Sequence, residues 1–230
     1  MDIDFFLLLI GGYLLGSVPA AYLATKWSQG IDIRQHGSGN IGATNLLRVT
    51  SLWIAIVVII FDVAKGMAAV LAAKLIGLDI AQQVAVGLAA IIGHNWPVFL
   101  HFSGGRGLLA TLGAAFSLPL INGLVPWEII AFLALAGIFI FIIHNTPLGT
   151  GLGVAAMPLV SWIANEPLSL TLGFLAMLLL VIIRRLTAPK TALAASVSPR
   201  QLLLNRLLFD RDIRDREAWL RRQPTSKDKR

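Results

Sequence analysis

Cysteine is absent from this 230-residue chain, which excludes a disulfide framework and a thiolate metal site. Charge is scarce: Asp, Glu, Lys and Arg make up 13% of the residues, about half the share of an ordinary soluble domain. No H-E-x-x-H or comparable spacing unites the four histidines, so a metal site has no support. A Walker loop is missing too, because no G-K-[ST] follows any glycine-rich stretch. There is no G-x-S-x-G nucleophile elbow and no Ser/His/Asp set that can be assembled. Nor does the chain hold a long-period repeat, a low-complexity linker or a second domain. What it has instead is apolar: 57% of residues are hydrophobic and mean hydropathy is +0.78. An integral membrane protein follows from that balance.

The charge is unevenly placed. The formal net charge is +7, yet residues 187–230 hold eleven Lys/Arg against five Asp/Glu. The basicity belongs to a tail and not to a nucleic-acid-binding body, so no nucleic-acid partner is expected. Two regions follow: a membrane domain over residues 1–186 and a basic cytoplasmic tail over 187–230. A secretory signal opens on positive charge. Here Asp2 and Asp4 come first and Lys26 follows the first apolar run, which orients a first span with its N-terminus outside.

Hydropathy predicts an all-α bundle of about seven transmembrane helices, over residues 5–25, 51–76, 80–100, 108–121, 128–143, 148–164 and 168–183. Gly11, Gly12, Gly16 and Pro19 mark the first as closely packed and kinked. The fourth to sixth are short for a bilayer that needs about 20 apolar residues. Tilted, broken or merged spans leave counts of five or six open. With seven, the cytoplasmic segments hold Lys26, Arg34, Arg48, Arg106, Arg184, Arg185 and the tail cluster. The outer segments hold only Lys74, Asp79 and Glu166. That asymmetry obeys the positive-inside rule and puts the polar loops at 26–50 and 101–107 on one face. A helix over 199–223, with Leu202, Leu203, Leu207, Leu208 and Ile213 among arginines, is expected to lie on anionic lipid. A solvated tail is the alternative beyond Arg216.

Residues 37–48 read GSGNIGATNLLR. Glycine-bared backbone, hydroxyl side chains and a cation are the groups that hold phosphate. Gly37, Gly39 and Gly42 allow close backbone approach, Ser38, Asn40, Thr44 and Asn45 add donors, and Arg48 adds a planar fork. The plain alternative is a flexible turn between two spans. A second loop, 103–107, reads SGGRG and leads into Thr111. Gly104, Gly105, Arg106 and Gly107 stand there at a helix start, where partial positive charge adds to an anion site. Arg106 could equally anchor a span end at the headgroups. Asp62 and Lys65 lie three apart in an apolar run and share a helix face. A mid-membrane charge costs about 2.5–3.5 kcal/mol, so a structural ion pair is the favoured reading. His94 is a candidate general base, or a clamp on a loop carbonyl. His36, His101 and His144 read as interfacial.

With these residues in view, the chain resembles the bacterial membrane glycerol-3-phosphate acyltransferases that use acyl phosphate as donor. The matching segments are YLLGSVP at 13–19, DIR at 32–34 followed by GSGNIGATNLLR, and DVAKG at 62–66. GHNWPVFL at 93–100, Phe102 and GGRG at 104–107 complete the set. The resemblance is dense over 12–113 and carried only by hydropathy beyond. It implies seven spans with the N-terminus outside, and acyl transfer to the 1-hydroxyl of sn-glycerol 3-phosphate. Lysophosphatidic acid and phosphate would be the products, in an early committed step of phospholipid synthesis. It further implies use of neither acyl-CoA nor acyl carrier protein directly, and a bacterial inner-membrane location with the active site facing the cytoplasm. Substrates would be acyl phosphate and glycerol 3-phosphate, the lipid bilayer the setting, with no cofactor and no required protein partner.

Two phosphorylated substrates suit two glycine-rich loops. An acyl phosphate is already activated, so positioning and oxyanion stabilisation supply the rate. Arg48, Arg106 and His94 form the expected catalytic set. The hydroxyl proton goes to His94 or to an oxygen of the substrate's own phosphate. Two departures stand out. Family members read Gly-Gly-Lys-Gly where Arg106 stands here. Their tail motif, H-x-x-N-I-x-R-L-L-x-G-x-E, survives as Arg206-Leu207-Leu208, with Asp210 and Asp212 in place of glycine and glutamate. Arg200 and Leu203 fall where histidine and asparagine belong, and an extra stretch, 186–198, precedes the motif. More of the glycerol-phosphate charge then falls to Arg48 and Arg106. A non-enzymatic lipid-binding or transport relative is the alternative, but that needs polar groups deep in the bundle, and only Asp62 and Lys65 are deep. A CDP-alcohol phosphotransferase needs several spaced aspartates, which the apolar body lacks.

Overall fold

Pro19 has no amide hydrogen and cannot continue a helix, so the first apolar run divides into α1 (Ile3–Ser17) and α2 (Ala20–Gln29). This computed structural model describes residues 3–221. Asp2, and the 222–223 end of the expected tail helix with everything after it, lie outside the described residues. After α2 come α3 (Ala43–Val49), α4 (Leu52–Leu75), α5 (Ile80–Asn95), α6 (Leu108–Ile121), α7 (Trp127–Phe141), α8 (Thr146–Ile163) and α9 (Leu168–Leu186). The tail adds α10 (Pro199–Phe209) and α11 (Arg216–Arg221). No strand occurs among the described residues.

Among the described residues, five helical stretches are long and apolar enough to cross a membrane: Ile3–Gln29, Leu52–Leu75, Ile80–Leu100, Thr146–Ile163 and Leu168–Leu186. The 14 residues of α6 and 15 of α7 span only about 21–23 Å at 1.5 Å per residue, short of a hydrocarbon core about 30 Å thick.

Small residues decide how the helices meet. A Cβ at Gly16 would run into the Ala90 backbone, and one at Gly93 into the Tyr13 carbonyl, so α1 and α5 touch backbone to backbone. Gly66 and Gly113 do the same for α4 and α6, against Ala110 and Val63. The main core lies among α4 to α9 around Phe174, Met177, Met157, Leu118 and Ile91. A smaller core of Ile33, Leu46, Ile41, Ala55 and Leu100 lies under the first glycine-rich loop. Trp53, Phe141 and Ile163, each at least 76% exposed, present apolar surface outward, as hydrocarbon contact requires.

The tail differs from the expected single helix. Asp210 adopts the left-handed conformation (φ 52°, ψ 42°) and ends α10. The following segment returns through a buried network: Arg206 Nε donates to Asp212 Oδ1 at 2.8 Å, and Asp212 Oδ2 accepts from Thr191 N and Oγ1, each at 2.8 Å. Helix α10 packs on α8 and α9, and Trp219 of α11 is buried. These contacts fold the segment through α11 onto the bundle, including the part beyond Arg216 that could have been solvated.

Candidate functional site

The first glycine-rich loop is held by its own polar residues. Asp32 Oδ1 accepts from Arg34 N at 3.0 Å, and the Arg34 guanidinium grips both carboxylate oxygens, at 2.6 Å at the shortest. Burial works to raise the Asp32 pKa, but the Arg34 hydrogen bonds and charge outweigh it and the net value is lowered. Asn45 is an internal clip: its Oδ1 accepts from Ser38 N at 2.9 Å and its Nδ2 donates to the carbonyls of His36 and Ile33 at 2.9 and 3.3 Å. The asparagine expected to meet phosphate therefore shapes the loop from within. Beneath it, Ile33 and Leu46 are fully buried.

The second loop is pressed onto the first. Gly105 N donates to the His94 carbonyl at 3.2 Å. A Cβ on Gly105 would meet His94 Nε2 and the Ile41 carbonyl, so only glycine lets the two loops approach this closely. Arg184, at the C-terminal end of α9, props the turn from behind. Its Nε and Nη2 donate to the carbonyls of Gly105 and Gly104 at 2.8 and 2.6 Å, and its guanidinium lies 5.8 Å from the Trp96 ring centroid. Deeper down, Lys65 Nζ lies 2.8 Å from Asp62 Oδ1 and reaches the Val18 carbonyl at 3.4 Å, beside the Pro19 break. His94 Nδ1 lies 3.6 Å from the same Asp62 oxygen. One buried ion pair thus ties α1, α4 and α5 to the floor of the loops.

Above that floor opens a cavity of about 350 Å³. Ser38, Asn40, Gly42, Thr44, Asn45 and Arg48 face it from the first loop and α3, and Arg106 and Gly107 from the second. His94 and Asp62 reach it from below. Four expected residues do not line it. Gly104 and Gly105 border a small neighbouring pocket with His94 and Asp62. Gly39 lines neither, and Thr111 is fully buried, its Oγ1 without a hydrogen-bond partner among the described residues. Also among the described residues, no three His, Asp or Glu side chains group as a metal site.

The far wall comes from residues that sequence reasoning passed over. Arg185 joins α9 to its neighbours, donating to the Leu207 and Pro147 carbonyls at 2.8 and 2.7 Å. Asp210, Arg211, Arg216 and Trp219 of the tail complete the enclosure. Arg106 Nε meets the Asp210 carboxylate, 2.7 Å from Oδ1 and 3.0 Å from Oδ2. Arg48 is exposed at the cavity mouth, and partial desolvation there, with the neighbouring Arg216 charge, lowers its pKa. The available signal was the paired arginines 184 and 185 closing the last span, which counted only toward the charge asymmetry.

Phosphate is the ligand class such a cavity suits: cations, hydroxyls and bare backbone converge over an apolar bundle. A family model described as glycerol-3-phosphate acyltransferase matches residues 6–194. Two proteins of Dehalococcoides mccartyi, glycerol-3-phosphate acyltransferases 4 and 5, are each 41% identical, over 95% and 96% of this chain and 94% and 95% of their own. The crystal structure of PlsY, an integral membrane glycerol 3-phosphate acyltransferase, in its glycerol 3-phosphate form is 30% identical with a TM-score of 0.69, covering 79% of this chain and 88% of that one. Its lysophosphatidic acid form is 27% identical with a TM-score of 0.65, covering 79% and 87%.

Proposed function

The chain belongs to the glycerol-3-phosphate acyltransferase family, and from that premise we propose that it takes its acyl group from an acyl phosphate. The enzyme transfers a fatty acyl group to the 1-hydroxyl of sn-glycerol 3-phosphate and yields lysophosphatidic acid. The observation that carries the donor is the single cavity shared by two glycine-rich loops, with Arg48 on one side and Arg106 on the other. Two phosphate-bearing substrates need two cationic sites within reach of one reacting centre. At about 350 Å³ the cavity falls in the range of small-molecule sites, about 300–1,000 Å³.

In the proposed reaction the glycerol 1-hydroxyl oxygen attacks the acyl carbonyl carbon. The carbonyl carbon–phosphate oxygen bond then breaks and inorganic phosphate leaves with the bonding pair. Arg48, Arg106 and the Ser38, Asn40 and Thr44 polar groups bind and orient the phosphates, and Gly42 and Gly107 keep the backbone open to them. The anhydride is activated before it arrives, so no cofactor is called for and positioning supplies much of the rate. His94 has one ring nitrogen turned to Asp62 and the other lying against Gly105. That placement favours a positioning role, with Asp62 and Lys65 as its structural support, and the hydroxyl proton passes to a phosphate oxygen.

The protein is multi-pass in the membrane. In this reading α6 and α7 cross as short spans and raise the count to seven, with the N-terminus outside. Residues 1–186 form the membrane domain and 187–230 a cytoplasmic tail. The site faces the cytoplasm of the bacterial inner membrane, where the Lys and Arg excess lies. The bilayer is its only required surrounding, with neither a protein nor a nucleic-acid partner. The test is purified protein given acyl phosphate and glycerol 3-phosphate. Lysophosphatidate and phosphate should appear in equal amounts, and acyl-CoA should not replace the donor. Turnover with acyl-CoA but not acyl phosphate would sink the donor assignment.

A further inference from the structure

Three arginines converge on the cavity mouth, and two of them belong to the tail. Arg48 comes from α3, Arg211 from the turn after α10 and Arg216 from the start of α11. None forms an ion pair among the described residues, although Asp210 and Asp215 lie near Arg211. Instead each is pressed toward another cation: Arg216 lowers the pKa of both Arg48 and Arg211, after burial as the larger cause. The Arg211 side chain lies against the Phe209 ring, 5.4 Å from its centroid, and its Nη1 is buried with no hydrogen-bond partner among the described residues.

Like charges gathered this closely need something to hold them. The tail provides it. The Arg206–Asp212–Thr191 network fixes the chain on one side of Arg211. The Asp210–Arg106 contact fixes it on the other, at 2.7 Å. Trp219 is 8% exposed and seats α11 against the cavity wall. The scaffold thus gathers cationic side chains at the cavity mouth, where an anion would offset their mutual repulsion.

We propose that Arg211 and Arg216, with Arg48, bind the phosphate of the acceptor glycerol 3-phosphate, so that the tail supplies part of the substrate site. The inference rests on the acyltransferase reading above. A phosphate monoester is the shared chemistry of two sources, the soluble acceptor and an anionic lipid headgroup. The place of all three in one cavity with Ser38, Asn40 and Arg106 favours the acceptor.

Arg211→Ala, Arg216→Ala and the double substitution are made in the full chain, with Arg214→Ala as control. Arg214 is exposed and does not line the cavity, yet its loss removes the same charge. Each protein is held in phosphatidylcholine nanodiscs, which present no anionic headgroup. KM for both substrates, kcat, and equilibrium binding of glycerol 3-phosphate are measured. Each single variant should raise KM for glycerol 3-phosphate about ten- to a hundredfold, the range for a hydrogen bond to a charged group. KM for acyl phosphate and kcat should stay within about threefold, and Arg214→Ala should resemble the parent. Arg211→Lys and Arg216→Lys should recover part of the loss. A double variant that binds glycerol 3-phosphate as tightly as the parent overturns this inference alone. So does an effect that appears only when phosphatidylglycerol is added, which would assign the arginines to lipid. A parent protein that binds glycerol 3-phosphate but makes no lysophosphatidate fails the acyltransferase reading while leaving the tail contacts to the binding measurement. A parent that does not bind it overturns both.

Discussion

Replacing Arg106 by lysine should weaken turnover, and replacing Asp210 by glycine in the same protein should restore part of it. Arg106 Nε is engaged by Asp210 at 2.7 and 3.0 Å and Nη1 donates to the Arg184 carbonyl at 3.5 Å, which leaves Nη2 of the fork for a phosphate. Lysine has one nitrogen. Beside Asp210 that nitrogen is taken by the carboxylate, and an incoming phosphate meets a neutralised pair with a negative oxygen on its near side. Glycine at 210 removes the competitor and suits the backbone, which is left-handed there at φ 52°. Asp210→Gly alone should also lose activity, because Arg106 loses the contact that orients it. Both side chains are about 20% exposed, so solvent trims their interaction. Directly contacting residues couple by about 0.5–3 kcal/mol. With that trimming we expect about 1–1.5 kcal/mol, or about five- to twelvefold in kcat/KM. The assay is phosphate release under limiting glycerol 3-phosphate for the parent, both single variants and the double. Multiplicative single effects, with coupling under about 0.3 kcal/mol, would refute the reasoning.

Four further outcomes follow. Arg48→Ala should cut kcat/KM about 10²- to 10³-fold, as loss of a preorganised donor does, with thermal unfolding in detergent unchanged; near-parent activity would remove the first loop from the site. His94→Ala should lose no more than about tenfold in kcat and keep the pH–rate profile, whereas a general base would lose about 10²–10⁴-fold along with the basic-form limb. Lys65→Met leaves the Asp62 carboxylate buried without its cation and should destabilise the protein by about 3–5 kcal/mol, with Asp62→Leu in the same chain recovering much of it; equal melting of the single and double variants would contradict a structural pair. The lowered Asp32 pKa stabilises the loop fully above the ordinary carboxylate value, about 3.9, and this contribution is lost as pH falls below it through the folded value. Amide exchange over residues 33–36 should therefore accelerate, after correction for intrinsic rates, below about pH 4. Asp32→Asn should show the faster exchange already at pH 6.

The helices were legible because each is a local pattern. Residues 108–121 form an apolar run between a glycine-rich loop and Asn122-Gly123, and α6 occupies Leu108–Ile121. The Asp62–Lys65 spacing of three placed both on one helix face, and they meet at 2.8 Å. Charge asymmetry brought two loops 60 residues apart in the chain to one face, and Gly105 packs against Ile41. What stayed hidden is the assignment of polar atoms. Nothing in GSGNIGATNLLR shows that Asn45 spends its amide on the carbonyls of Ile33 and His36. The second loop reads as phosphate-binding glycines, yet Gly104 and Gly105 are occupied by Arg184 and His94. The tail misled for a related reason: a period of 3.6 cannot show that one aspartate will turn left-handed and stop the helix at 210.

The two departures from the family pattern have one explanation. Taken singly, arginine for lysine at 106 keeps charge and changes shape, and aspartate for glycine at 210 places a carboxylate in a position of positive φ. Their 104-residue separation hides that they touch. In contact, each supplies what the other lacks. The arginine has a nitrogen to give away and another remaining, and the carboxylate has a cation that offsets its charge beside the proposed phosphate site. The same turn that seats Asp210 sends Arg211 toward the cavity and lets α11 close over it. The family match ends at residue 194, before the tail's part of this wall begins. An apparently degraded motif is therefore better understood as a rebuilt one: the histidine and asparagine positions are vacated, and cations from the next turn face the space in their place. That account requires Arg211 and Asp210 to act through one backbone turn. An insertion of one alanine between Phe209 and Asp210 should then impair acceptor binding and the Arg106–Asp210 coupling together. If the insertion abolished the coupling but left acceptor KM at the parent value, the tail would serve only to neutralise Arg106.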